Sequence, residues 1–163
     1  MVEMELVGVR VELPTNAPIV LLRERGGDRR LLPIFIGAPE ATAIAFALEE
    51  VTTPRPMTHD LMKDVLDDLG AVLDQVVVTA LKDATFYAEL HLSVGGRHHQ
   101  VSSRPSDAIA LAARTASPIF AAEEVLDEAA YTLSEEDEEA QEEVVVEQFK
   151  EFIDNVNPED FAS

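Results

Sequence analysis

The chain has 163 residues, no cysteine, 12 Lys and Arg against 32 Asp and Glu, and a formal charge of −20. That length suits one domain with a real core, and the missing cysteines exclude a disulfide framework, thiolate zinc sites and cysteine nucleophiles. A field of that sign repels phosphate backbones, so any action on nucleic acid has to rest on a local cationic site or on metal ions.

The charge is uneven. Residues 133–163 hold twelve acids and one base, net −11, which leaves −9 for residues 1–132. This shift divides the chain into a domain at 1–132 and an acidic linker with a C-terminal helix at 133–163. The start, MVEMELVGVRVEL, lacks the charged, apolar and small-residue regions of an export leader. No uninterrupted apolar run reaches the ~18 residues of a membrane span. The expectation is a cytoplasmic protein without a membrane partner.

Residues 4–13 alternate Val7, Val9 and Val11 against Leu6 and Gly8, the period of a half-buried strand, until Pro14, Asn16 and Pro18 break it. APIVLLRER and DRRLLPIFIG flank Gly26, Gly27 and Asp28 and read as a hairpin. From Gly37 on, Ala41, Ile44, Ala45 and Leu48 recur at helical spacing, with Pro39 in the first turn where its missing N–H costs nothing. TTPRP interrupts, and Thr58 is placed to cap a second helix with the apolar face Leu61, Met62, Val65, Leu66 and Leu69, stopped by Gly70.

VLDQVVVTALK, TFYAELHLSV and GRHHQVSS then form an antiparallel meander with a tight turn at Gly95 and Gly96. A two-residue turn pairs Val94 with Arg97, Ser93 with His98 and His91 with Gln100. It sets Phe86, Ala88, Leu90 and Leu92 on one face and Tyr87, Glu89, His91 and Ser93 on the other. SRPSDAIALAAR opens a further buried helix, SPIFA a short strand and EEVLDEAA a last helix of the domain. These elements predict an α+β fold, an antiparallel-rich mixed sheet of two meanders with helices packed against it. In the tail, SEEDEEAQEE stays solvated, and Val145, Phe149, Phe152 and Val156 form an amphipathic stripe that docks either on its own domain or on a protein partner.

Two helix starts carry the residues suited to chemistry, RPMTHDLM with Arg55, Thr58, His59 and Asp60, and RPSDAIAL with Arg104, Ser106 and Asp107. On the plain reading they only start helices: proline presets the first turn, Thr58, Ser103 or Ser106 accepts amide hydrogen bonds, and Asp60 and Asp107 face the helix dipole. On the functional reading they converge. Phosphodiester hydrolysis needs carboxylates or histidines for a divalent ion, a base for water and a cation against the phosphoryl charge. Glu40 adds a further carboxylate, although neighbouring His59 and Asp60 diverge by about 100° around a helix.

The hairpin supplies the one basic concentration, Arg23, Arg25, Arg29 and Arg30, able to grip a phosphate backbone, with Tyr87 as a stacking face. The ordinary alternative is that these arginines pair with Glu24 and Asp28. His98 and His99 fall on opposite faces of a strand, and a solvated sheet face explains the histidines better than zinc does.

LPIFIGAPEATAIAFALE, RPMTHDLM, DATFYAELHL and SRPSDAIALAARTASPIF, in this order and spacing over residues 1–132, resemble the bifunctional nuclease domain family, and the acidic tail resembles that of actinobacterial members. The resemblance implies an α+β domain that self-associates, a dimer in the first instance, and hydrolysis of DNA and RNA. His59, Asp60, Arg104, Asp107 and Arg55 are then the candidate catalytic residues. Thr58, Ser106 and the four hairpin arginines are the substrate contacts, and Asp107, Asp60 and Glu40 the ligands of Mg²⁺ or Mn²⁺, with no organic cofactor. Two other functions stay open: an adaptor recruiting a protein through residues 134–163, and a sensor of small anions at the helix starts.

Overall fold

The first hairpin is built where the apolar alternation predicts it: β1 (Val2–Glu12) pairs antiparallel with β2 (Ala17–Glu24), and β2 with β3 (Leu31–Phe35). A bulge between Leu6 and Gly8 interrupts the alternation of β1, so Gly8 and Val9 are both buried; an extra residue in one strand shifts every later side chain to the other face. Two helices follow, α1 (Ala38–Leu48) and α2 (Thr58–Asp68). The second meander comprises β4 (Ala71–Lys82), β5 (Thr85–Val94) and β6 (Arg97–Ser103), in the expected register of Val94 with Arg97 and His91 with Gln100. The chain ends with α3 (Pro105–Thr115), β7 (Ile119–Ala121), α4 (Glu123–Ala129) and α5 (Glu135–Asp154).

This computed structural model describes residues 1–155, without the side chains of several α5 residues, Val145 among them; Val156 lies outside the described residues. Among those residues the strands form one seven-stranded sheet in the order β3-β2-β1-β7-β4-β5-β6, antiparallel except where β7 runs parallel to β4. The three-residue β7 thus joins the two meanders. The fold is α+β, with a mostly antiparallel mixed sheet and five helices. No described helix is long and apolar enough to cross a membrane.

One face of the sheet, with Val20, Leu22, Val76, Val78 and Leu90, packs against Ala41, Ile44 and Ala45 of α1 and Ala108, Ile109, Leu111 and Ala112 of α3. The run of alanines lets α1 and α3 approach closely, and both helices sink into the core almost all round. A smaller cluster on the other face joins Leu21 and Leu31 with Val7, Tyr131 and Leu133.

The structure differs from the sequence reading in three places. Only Met62 and Leu66 of the expected α2 face reach the core, while Leu61, Val65 and Leu69 stay exposed, because α2 packs chiefly against α3 and β4. Thr58 is the first residue of α2 and not its cap: Met57 holds the cap position, and Asp60 reaches back to accept the Met57 N–H at 3.0 Å. Nor does a serine cap α3, whose cap residue is Arg104; Ser103 Oγ donates to the Arg104 carbonyl and Ser106 is buried.

The acidic block of the tail is the first part of α5, capped by Ser134, whose hydroxyl accepts the Asp137 N–H at 3.2 Å. Farther along, α5 docks on β1 and α1: Phe149 is buried, Phe152 and Ile153 pack against the main core, and Gln148 Oε1 accepts the Val11 N–H at 3.3 Å.

Candidate active site

Three helices begin around one cleft of about 400 Å³, lined by Ala38, Pro39 and Glu40 of α1, Thr58 and His59 of α2, and Arg104 and Asp107 of α3, with Phe46 and Arg114 deeper along the same helices. Each helix carries an acid at its third position, Glu40, Asp60 and Asp107, where the unpaired N–H groups of a first turn favour negative charge. The local sequences GAPE, MTHD and RPSD are therefore ordinary helix starts. What sets them apart is that the fold brings them together around one cleft.

Arg104 is the hub. Its Nε donates to Asp107 Oδ2 at 2.8 Å, and its Nη2 donates to Asp107 Oδ1 at 3.2 Å and Glu40 Oε1 at 2.9 Å. The two carboxylates hold the planar guanidinium in one orientation although its side chain is 67 % exposed. Among the described residues Nη1 makes no hydrogen bond, so two N–H donors remain for a ligand. The Glu40 carboxylate lies over Gly37, in space that a side chain there would occupy.

On the other side of Asp107, His59 Nε2 lies 2.8 Å from Oδ1, and His59 is buried. Burial pushes the Asp107 carboxyl up, but hydrogen bonds from Arg104 and then His59 outweigh it and hold the group below its ordinary value. An ionised carboxylate only accepts, so the bond selects the tautomer with the proton on Nε2 and leaves Nδ1 as the imidazole's acceptor. The two neighbouring carboxylates raise the pKa of Arg104 further, Asp107 first and Glu40 second.

Asp60 takes no part in this network. It turns to Arg114, whose Nε donates to its Oδ1 at 2.7 Å, and its carboxyl is lowered where these bonds outweigh the upward effect of burial. Arg114, with its side chain 7 % exposed and a second bond to the Ala110 carbonyl at 2.9 Å, is a lining residue the sequence reading missed. Its spacing was the available signal: it follows Asp107 by seven residues, two helical turns, on the same stripe of a helix whose middle, Ala108–Ala112, is buried and apolar.

Other expected site residues lie elsewhere. Arg55 is exposed on the segment before α2 and does not line the cleft, Ser106 lines the adjoining one, and Thr58 lies at the rim. The hairpin arginines sit at the far end of β2 and β3 from Gly37, since Arg23 pairs with Leu31 while Ile19 pairs with Phe35, about 13 Å away along the strand. They are also engaged: Arg23 with Glu5 at 3.0 Å, Arg25 with Glu3 at 3.3 Å, and Arg30 with Glu24, Glu123 and Asp127. Arg29 is in the turn at φ 53°. Tyr87 is on the opposite side of β5 from the core-facing Phe86, with Lys82 Nζ 5.8 Å from its ring centroid.

The donor set does not fit a divalent ion held directly by Asp107, Asp60 and Glu40. Among the described residues no three His, Asp or Glu side chains gather as a metal site. The Asp107 oxygens and Glu40 Oε1 are taken by Arg104 and His59, and Asp60 by Arg114.

Comparison with known proteins identifies the family. The bifunctional nuclease domain matches residues 20–134. An uncharacterized protein of Mycobacterium tuberculosis is 47 % identical over 165 aligned positions, covering 99 % of this chain and 98 % of its own. Bifunctional nuclease 2 of Arabidopsis thaliana is 36 % identical over 112 positions, 66 % of this chain and 34 % of its own, and bifunctional nuclease 1 of Oryza sativa subsp. indica 32 % identical over 114, 68 % and 34 %. The chain thus spans about a third of the plant proteins' length and nearly all of the mycobacterial one.

Proposed function

Because the chain belongs to the bifunctional nuclease domain family, we propose that the cleft at the three helix starts hydrolyses phosphodiester bonds of DNA or RNA. The observation that carries this reading is Arg104, an arginine fixed by two carboxylates and still offering two N–H donors to the cleft. A guanidinium whose geometry is set in advance binds a phosphoryl group without reorganising as charge develops. The cleft is not a basic patch, since Glu40 and Asp107 offset Arg104 and Arg114, so the contact with phosphate rests on the directed N–H donors of Arg104 and not on a long-range field.

The chain's own groups divide the work. Arg104 Nη1 takes a non-bridging phosphate oxygen. His59, in the tautomer selected by Asp107, accepts the proton of the attacking water at Nδ1, and Asp107 stabilises the imidazolium that results. The hydroxide attacks phosphorus, the bond to the leaving oxygen breaks, and the proton returns to that oxygen directly or through solvent. No step is assigned to a metal ion.

The test compares wild type with His59→Ala and Asp107→Asn on labelled single-stranded RNA and DNA at low salt, in Mg²⁺, Mn²⁺ or EDTA, with folding checked by circular dichroism. Wild type is expected to cleave and both variants to lose about 10²- to 10⁴-fold. The EDTA arm reports whether an added ion is needed. Equal cleavage by all three proteins, or none by wild type, overturns the reading.

A further inference from the structure

A second cleft, of about 420 Å³, adjoins the first and shares Arg104 with it; Ile34, Phe35, Gly37, Phe86 and Ser106 line it too. Among the described residues Arg104 is the only charged side chain on its wall, in a protein with 32 acids. Phe35, the last residue of β3, is 64 % exposed, while its neighbour Ile34 is 2 % exposed. A phenylalanine has no polar tip to justify solvent, so its open ring offers only an apolar or stacking surface. It precedes Gly37 by two residues, at most about 7 Å of chain, so the ring stays close to the start of α1 and to the Glu40–Arg104 pair.

We propose that this second cleft is the nucleobase subsite of the same centre, in which an unpaired base stacks on Phe35 while the adjoining phosphate lies against Arg104. The proposal rests on the nuclease reading and names its substrate class as single-stranded nucleic acid. In a duplex both faces of each base are covered by neighbouring pairs, so the ring finds no partner. In a single strand every base has a free face, and stacking on an aromatic ring is tolerant of sequence. With most of the surface acidic, long-range attraction of the backbone is weak, and stacking supplies affinity that charge does not.

The experiment measures binding of a short fluorescent single strand and of its duplex by anisotropy, using non-hydrolysable phosphorothioate backbones, for wild type, Phe35→Ala and Phe35→Trp. The same proteins are assayed for cleavage of an unmodified single strand and sedimented without nucleic acid. The expected result is single-strand binding weakened about 5- to 100-fold in Phe35→Ala, unchanged duplex binding, and recovery in Phe35→Trp. Wild-type cleavage together with undiminished binding by Phe35→Ala overturns the subsite and leaves the nuclease reading standing. Absence of wild-type cleavage, with the single-strand contrast intact, sinks the nuclease reading and keeps the base-stacking surface. Equal loss on single strand and duplex, no wild-type binding at all, or a changed sedimentation coefficient in Phe35→Ala overturns the subsite, the last by assigning the ring to an interface between copies.

Discussion

Arg104 and Arg30 are both surrounded by carboxylates, and they differ in what their guanidinium groups have left to offer. Arg30 spends all three nitrogens: Nε and Nη2 on Glu24 at 3.0 and 3.3 Å, Nη2 again on Glu123 at 2.7 Å and Nη1 on Asp127 at 3.1 Å. Its side chain is 17 % exposed, and it ties the β2–β3 hairpin to α4. Arg104 keeps Nη1 unused at 67 % exposure. What distinguishes the two is the number of donors left over and their access to solvent, not the number of acids nearby.

Exchanging each arginine breaks the comparison if it is wrong. Arg104→Ala is expected to cut cleavage about 10²- to 10³-fold, the loss typical of one donor to a developing charge. It leaves Glu40, 13 % exposed, without its ion pair, but the guanidinium is exposed and screened, so its cost in stability, about 1 kcal/mol, is expected to stay below that of Arg30→Ala. Arg30→Ala is expected to do the reverse. It leaves buried Glu24 with only the backbone N–H of residue 30 as donor and costs about 2 kcal/mol, read from the urea midpoint, with cleavage unaffected. The Glu123 and Asp127 arms are exposed and add little. Lost cleavage in Arg30→Ala would return the hairpin to the substrate path.

The same pair shows what the sequence could reveal. Strand alternation, the glycine turns and the meander register were legible because local chemistry determines them: Gly95 and Gly96 at φ 56° and 78° make the tight turn, and the pairing of Val94 with Arg97 follows. His59, Arg104, Asp107 and Glu40 were legible as helix-start chemistry, and the fold gathers them at one cleft. The division of labour among them was not. Asp60 and His59 are adjacent in sequence, yet one faces Arg114 and the other Asp107, and that choice depends on how α2 lies on α3. Four arginines within eight residues were a candidate phosphate grip, with pairing to Glu24 and Asp28 as the ordinary reading; Arg30 does pair with Glu24, and Glu3, Glu5, Glu123 and Asp127, distant in the chain, engage Arg23, Arg25 and Arg30 further. Likewise, nothing local could show that the short SPIFA strand enters the middle of the sheet, since its pairing with β1 and β4 is set by tertiary structure.

Acid sharpens the comparison next. Glu24 is held below its ordinary value first by the Arg30 hydrogen bond, against burial. Asp107 and Asp60 are lowered where their arginine partners outweigh burial. Each of these carboxyls binds its proton more weakly folded than unfolded. Their contribution to stability is therefore complete above the unfolded values near 4 and is lost as pH falls through the lower folded ones. Urea midpoints of wild type are expected to hold from pH 7 to about 5 and to fall below about 4. Glu24→Gln should flatten that fall more than Asp107→Asn, because Glu24 is the more enclosed group. A midpoint that rises on acidification would contradict the assigned directions.

The smallest expected effect asks whether the chemistry at one end of α3 is independent of strain at the other. Ala116, just after the helix, is in the left-handed region at φ 53°, where a Cβ is costly and glycine is the usual residue. Ala116→Gly relieves about 1 kcal/mol, less the added freedom of the unfolded chain, and is expected to raise Tm by at most about 2–4 °C. The residue is about 18 Å along the helix axis from Arg104, with the buried run Ala108–Ala112 between them. If Arg104 is fixed by Glu40 and Asp107 alone, the gain in stability leaves cleavage unchanged. A change in cleavage that tracks Tm would mean instead that the seating of α3 in the core sets the guanidinium, and the contrast between a held arginine and a structural one would become a difference of degree.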